Sequence, residues 1–125
     1  MIAGVGIDII DINRIRRVLE QNPAFRQKVF SKQEIAYCES KADPSLSYSA
    51  RFAAKEAFMK ALGTGWNHEV SWVEIETVVN DNSAPGLNIT GRTQQTLASR
   101  NITSCHLSIS HEKEYSVACV ILERN

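Results

Sequence analysis

The chain has 125 residues, the length of one average domain, so a single domain over 1–125 is expected. Its 14 Lys and Arg match 14 Asp and Glu, which argues against a general electrostatic grip on nucleic acid or on an anionic membrane. The 43% hydrophobic and 22% charged residues describe an ordinary soluble globule, large enough for one core without disulfide staples. The neutral total hides a polarity. Residues 1–32 carry six basic side chains (Arg14, Arg16, Arg17, Arg26, Lys28, Lys32) against Asp8, Asp11 and Glu20, so the rest of the chain is net acidic.

Cys38, Cys105 and Cys119 are odd in number and form no C-x-x-C pair, which disfavours a disulfide framework or thiolate metal site and suits a reducing cytosol. The apolar start lacks a basic leader and is cut short by Asp8, so neither a signal peptide nor a membrane span of ~20 apolar residues is expected. A cytoplasmic location follows as an expectation.

Ile2 to Ile10, apolar apart from its glycines and Asp8, predicts a buried strand with the aspartate as an anomaly inside it. From Asp11 the period becomes helical, with Ile12, Ile15, Val18 and Leu19 on one stripe. Pro23 punctuates, and Phe25, Val29 and Phe30 suggest a short second helix. Ser31 with Glu34 three residues later is a capping-box pattern, opening a third helix to about Ser40. Asp43-Pro44 predicts an N-cap and a first-turn proline for a long helix to Leu62, stopped by Gly63-Thr64-Gly65.

Val70 to Val79 reads as a strand, Asn80 to Gly86 as a turn, and Leu87 to Thr90 as a short strand. Gly91 to Arg100 suits a helix. Thr103 to Ser110 and Tyr115 to Leu122 form a closing strand pair, with His111 to Glu114 as their hairpin loop. Strands and helices are segregated, so the fold class is α+β, with a largely antiparallel sheet packed against a long central helix and shorter helices.

The central helix, Arg51 to Leu62, is apolar in nearly every direction and therefore buried. Glu56 and Lys60, four apart, share one stripe and suggest an ordinary helical ion pair. Asp8 offers an alternative, since two carboxylates, waters and a phosphate are the usual surroundings of Mg²⁺. Equally, Asp8 can cap the helix that begins near Asp11. Gly63-Thr64-Gly65 either presents backbone N–H groups to a phosphate or simply ends the helix. His111, at a strand end, is either an anion donor or a solvated turn residue. His68 and His106 have no partner at metal-ligand spacing.

Three elements in order, Gly6-Ile7-Asp8-Ile9, Arg51-Phe52-Ala53-Ala54-Lys55-Glu56-Ala57-Phe58-Met59-Lys60-Ala61-Leu62-Gly63-Thr64-Gly65 and Leu107-Ser108-Ile109-Ser110-His111, resemble the holo-[acyl-carrier-protein] synthases. These are the short bacterial type of the 4′-phosphopantetheinyl transferase family. The likeness spans essentially the whole chain, and its most specific part is the Phe-x-x-Lys-Glu-Ala-x-x-Lys signature in the centre. The resemblance implies transfer of the 4′-phosphopantetheine arm from coenzyme A to a serine of apo acyl carrier protein, in support of fatty acid biosynthesis. Adenosine 3′,5′-bisphosphate leaves. By the same resemblance Asp8 and Glu56 are the Mg²⁺ ligands, and Lys60 contacts the phosphate under attack. Arg51, Lys60, Gly63, Pro85 and His111 line the coenzyme A site. Arg14, with Phe25 and Arg26, meets the carrier protein. The family's homotrimers place active sites between neighbouring subunits.

In such a reaction the protein mainly positions groups and neutralises charge, with Glu56 and Lys60 as its catalytic residues. The serine proton passes to Glu56, directly or through water on the metal; a ligand carboxylate is a poor base, which favours the water. Two rival readings are a non-catalytic binding module of the same fold and a different Mg²⁺-dependent phosphoryl enzyme.

Overall fold

The computed structural model describes residues 1–64 and 69–125; Gly65 and His68, singled out above, lie outside the described residues. The architecture is α+β. Strand β1 (Ile2–Asp11) is followed by helices α1 (Ile12–Gln21), α2 (Phe25–Val29), α3 (Lys32–Glu39) and α4 (Pro44–Leu62). A 3₁₀ turn (Trp72–Glu74) then leads into the hairpin β2 (Ile75–Val79) and β3 (Pro85–Ile89), helix α5 (Gly91–Ser99), and strands β4 (Ser104–His111) and β5 (Tyr115–Glu123). All strand pairs are antiparallel: β5 lies between β1 and β4 in one sheet, and β2 pairs with β3 in another.

The helix boundaries follow local chemistry. Asp11 accepts from the Asn13 backbone N–H at 2.8 Å and so starts α1. Ser31 and Glu34 form the full capping box on α3. Pro44 sits in the first turn of α4, but Asp43 turns away from it and pairs with Arg16 at 3.4 Å. At the other end Gly63 adopts φ 80°, a conformation that favours glycine, and its N–H caps the Met59 and Lys60 carbonyls.

Two expectations need correction. Val70 to Val79 is not one strand, because Trp72–Glu74 coils into the 3₁₀ turn before β2 begins. Nor is β1 buried on both faces. Val5, Ile7 and Ile9 are about 60% exposed (58, 61 and 65%), while Gly6 and Ile10 face the core. The apolar run conceals a period of two, because glycines hold alternate inward positions. They are needed there. A Cβ on Gly4 would stand 1.9 Å from the Ala61 carbonyl oxygen, and one on Gly6 would stand 1.9 Å from that of Ala57. Strand and helix backbones touch.

The core around α4 gathers Ile15, Leu19, Phe30, Tyr48, Phe58, Ile75, Leu97, Val120 and Leu122. Buried within it is an ion pair, Lys55 Nζ to Glu34 Oε1 at 2.7 Å, with both side chains fully enclosed. No described helix is long and apolar enough to cross a membrane.

Candidate active site

The backbone contact between β1 and α4 locates the first cluster. Gly4 meets Ala61 and Gly6 meets Ala57, so two strand residues keep pace with four helix residues. The rises agree, at ~6.6 Å against ~6 Å. The next inward position is Asp8, which reaches α4 beside the stripe carrying Glu56 and Lys60. Lys60 Nζ lies 3.0 Å from Asp8 Oδ1 and 3.0 Å from the Ile7 carbonyl oxygen. The sequence suggests a Glu56–Lys60 pair within the helix, but the hydrogen-bonded ion pair runs between elements, to Asp8. Asp8 therefore does not cap α1; Asp11 does.

Glu56 is left half-buried beside these charges. Burial raises its pKa, the like charge of Asp8 adds to the rise, and Lys60 and Arg14 oppose it. Arg14, exposed on α1, is thus near enough to act on Glu56 and links the basic helix to the cluster. The donor set of Asp8 and Glu56 fits a hard divalent cation: the two carboxylates repel one another, and among the described residues Asp8 is paired with the Lys60 ammonium alone. Among the described residues no group of three or more His, Cys, Asp and Glu side chains is spaced to hold a metal, so the remaining ligands would come from water or substrate oxygens.

A second cluster lies elsewhere. Arg51, Pro85 and His111 line one cavity of about 410 Å³ together with Tyr37, Leu46 and Thr77. Arg51 is 6% exposed and stacks on the Tyr37 ring at 4.1 Å, while Lys41 Nζ is 4.5 Å from the same ring centroid. The Arg51 Nε and Thr77 Oγ1 atoms are buried without a hydrogen-bond partner. His111 ends β4, opposite Ser116 of β5, rather than lying in the hairpin loop. Neither Asp8, Glu56 nor Lys60 lines this cavity.

The other expected residues are positioned as follows. Gly63 closes α4, and its N–H and that of Thr64 are already bonded to helix carbonyls, so this segment is a helix stop. Phe25 is half-buried, its ring centroid 5.9 Å from both Phe30 and Phe52. Arg26 bonds Glu39 at 3.0 Å and stands over the Tyr48 ring. Sequence reasoning missed Lys55, Tyr37 and Thr77. The signal for Lys55 was available, because a cation within an all-apolar helix demands a buried partner. Burial pushes the Cys38 thiol up to about 12 and raises Cys105 as well, which removes both as thiolate nucleophiles at neutral pH.

Fold and site together define a class. The chain belongs to the 4′-phosphopantetheinyl transferase superfamily, whose model matches residues 4–120. Within that class, its similarity is to the holo-[acyl-carrier-protein] synthases. The synthase of Geobacter metallireducens is 42% identical over 125 residues, with 99% of both chains covered. That of Syntrophus aciditrophicus is 42% identical over 124 residues. Among solved structures, the Neisseria meningitidis synthase superposes with a TM-score of 0.92 at 31% identity, covering 99% of this chain and all of the other. The Bacillus anthracis enzyme, in complex with CoA (3′,5′-ADP), superposes at 0.84 with 37% identity and coverage of 100% and 99%.

Proposed function

We propose that the protein is a holo-[acyl-carrier-protein] synthase, transferring the 4′-phosphopantetheine arm from coenzyme A to a serine of apo acyl carrier protein and releasing adenosine 3′,5′-bisphosphate. The observation that carries this reading is the Asp8–Glu56–Lys60 cluster, assembled by backbone contact between β1 and α4. Full-length similarity to named synthases supports the substrates. The proposal extends to one catalytic domain over residues 1–125, acting in the cytoplasm in fatty acid biosynthesis.

Asp8 and Glu56 would hold Mg²⁺, which when bound would supply positive charge to offset that of the pyrophosphate. Lys60, tethered at its ammonium by Asp8 and the Ile7 carbonyl, holds its positive charge where the attacked phosphate develops negative charge. Glu56 accepts the serine proton, directly or through an intervening water; a carboxylate that holds a cation is a poor base, which favours the water route. Arg51, Pro85 and His111 line the coenzyme A cavity, with Gly63 setting the end of the helix that carries Arg51 and Lys60. Arg14, Phe25 and Arg26 face the carrier protein, with Arg14 adjoining Glu56.

The separation of the two clusters on one chain, and the apolar outer face of β1, support a homotrimer. In it the metal-binding cluster of one subunit completes the cavity of its neighbour. Chromatography of the small-molecule products tests the reaction class: adenosine 3′,5′-bisphosphate should form from coenzyme A only when apo carrier protein is present. Its release without carrier would assign a hydrolase instead.

A further inference from the structure

Lys55 precedes Glu56 in the signature, yet its ammonium points away from the charged cluster into the core. It donates to Glu34 Oε1 at 2.7 Å, to the Trp72 carbonyl oxygen at 2.8 Å and to that of Ile75 at 2.5 Å. The two carbonyls bracket the 3₁₀ turn at the entrance to β2. Glu34, in turn, accepts from the Thr77 backbone N–H at 3.0 Å and from that of Ser31 at 3.0 Å. The Trp72, Ile75 and Thr77 contacts each hold a point on β2 or on the turn leading into it at hydrogen-bond distance from α4 or α3. The Lys55–Glu34 pair ties those two helices together.

That strand is one wall of the cavity. Thr77 and Val79 line it directly, and Val79 pairs in register with Pro85, which lines it too. Arg51, one helical turn before Lys55, lines the same cavity from α4. One helix therefore supplies a wall through Arg51 and grips another wall through Lys55. Stability alone is a poor reason for this arrangement, because enclosing two charges costs desolvation that apolar residues of similar volume avoid. Charge-assisted hydrogen bonds instead fix a distance, where apolar packing would let the strand slide.

We propose that Lys55, through Glu34 and the Trp72 and Ile75 carbonyls, is a positioning residue that sets the width of the cavity for coenzyme A. This rests on the assignment of that cavity to coenzyme A made above. The test compares wild type with Lys55→Met/Glu34→Gln, which removes both buried charges together, and with Glu34→Gln, which keeps the Lys55 contacts to the Trp72 and Ile75 carbonyls but leaves its charge without a counter-ion. Coenzyme A binding is measured by calorimetry, the kinetic constants by transfer assay, and folding by cooperative melting. The double variant should bind coenzyme A at least about tenfold more weakly and raise its KM in proportion, with kcat and the carrier-protein KM within about twofold of wild type. Glu34→Gln should weaken binding at least about threefold. Wild-type affinity in either variant that melts cooperatively would overturn the proposal, as would losses falling on kcat alone. Absence of transfer by the wild-type protein would instead count against the assigned reaction, leaving the binding result to be read separately.

Discussion

At the scale of single residues, the chemistry and the stability of this protein pull against each other at Glu56. Its pKa is raised, so the folded state holds the proton more tightly than the unfolded chain does. The sign follows: the ionised carboxylate is a burden on the fold at neutral pH, and the burden fades as pH falls through the raised folded pKa and then the ordinary glutamate range. Glu56→Gln should therefore raise the melting temperature at pH 7, with the gain vanishing near pH 4, while lowering turnover at least ~10²-fold. Thermal melts across that range, alongside the transfer assay, check both halves. A second residue-scale outcome concerns Arg14, which is exposed and acts on Glu56 from α1. Arg14→Glu should weaken capture of an acidic carrier protein and flatten its salt dependence, leaving coenzyme A affinity within about twofold. Titrating the carrier-protein KM against ionic strength measures it.

At the scale of elements, the site depends on how closely β1 can approach α4. Gly6→Ala would place a methyl group 1.9 Å from the Ala57 carbonyl oxygen, and relieving it shifts β1, which carries Asp8, against α4, which carries Glu56 and Lys60. Urea unfolding should show a loss of about 1–3 kcal/mol, and turnover of the folded fraction should fall with it. The sequence made much of this level legible. The capping box at Ser31, the proline and glycine that bound α4, and the signature on that helix all form as local chemistry dictates. What it obscured was tertiary. Glycines at alternate positions of β1 disguised a two-sided strand as a buried one, because glycine leaves no side chain to show which face is inward. Lys60 lay within reach of Glu56 along the helix but pairs with Asp8 across the strand, a contact no local spacing encodes. Trp72–Glu74 has strand-forming residues yet coils, and the carbonyls of Trp72 within it and Ile75 just after it are gripped by Lys55 from a distant helix turn.

At the scale of the whole molecule, the neutral composition conceals two directional surfaces. Between Asp11 and Lys32 there are six basic and two acidic residues, a local excess suited to an acidic partner. Across the sheet, Val5, Ile7 and Ile9 stand in register with Ile121, Cys119 and Val117, extending an apolar face that a monomer leaves open. Ile7→Glu should convert the proposed trimer to monomers by light scattering and abolish transfer, because within one chain Asp8, Glu56 and Lys60 do not line the cavity that Arg51 and His111 line. The central claim is a reaction, and intact mass spectrometry of the acceptor tests it most directly. Apo acyl carrier protein incubated with coenzyme A, Mg²⁺ and this protein should gain the mass of one phosphopantetheine arm on its serine. A carrier left at its apo mass, under conditions where an established transferase converts it, would contradict the account.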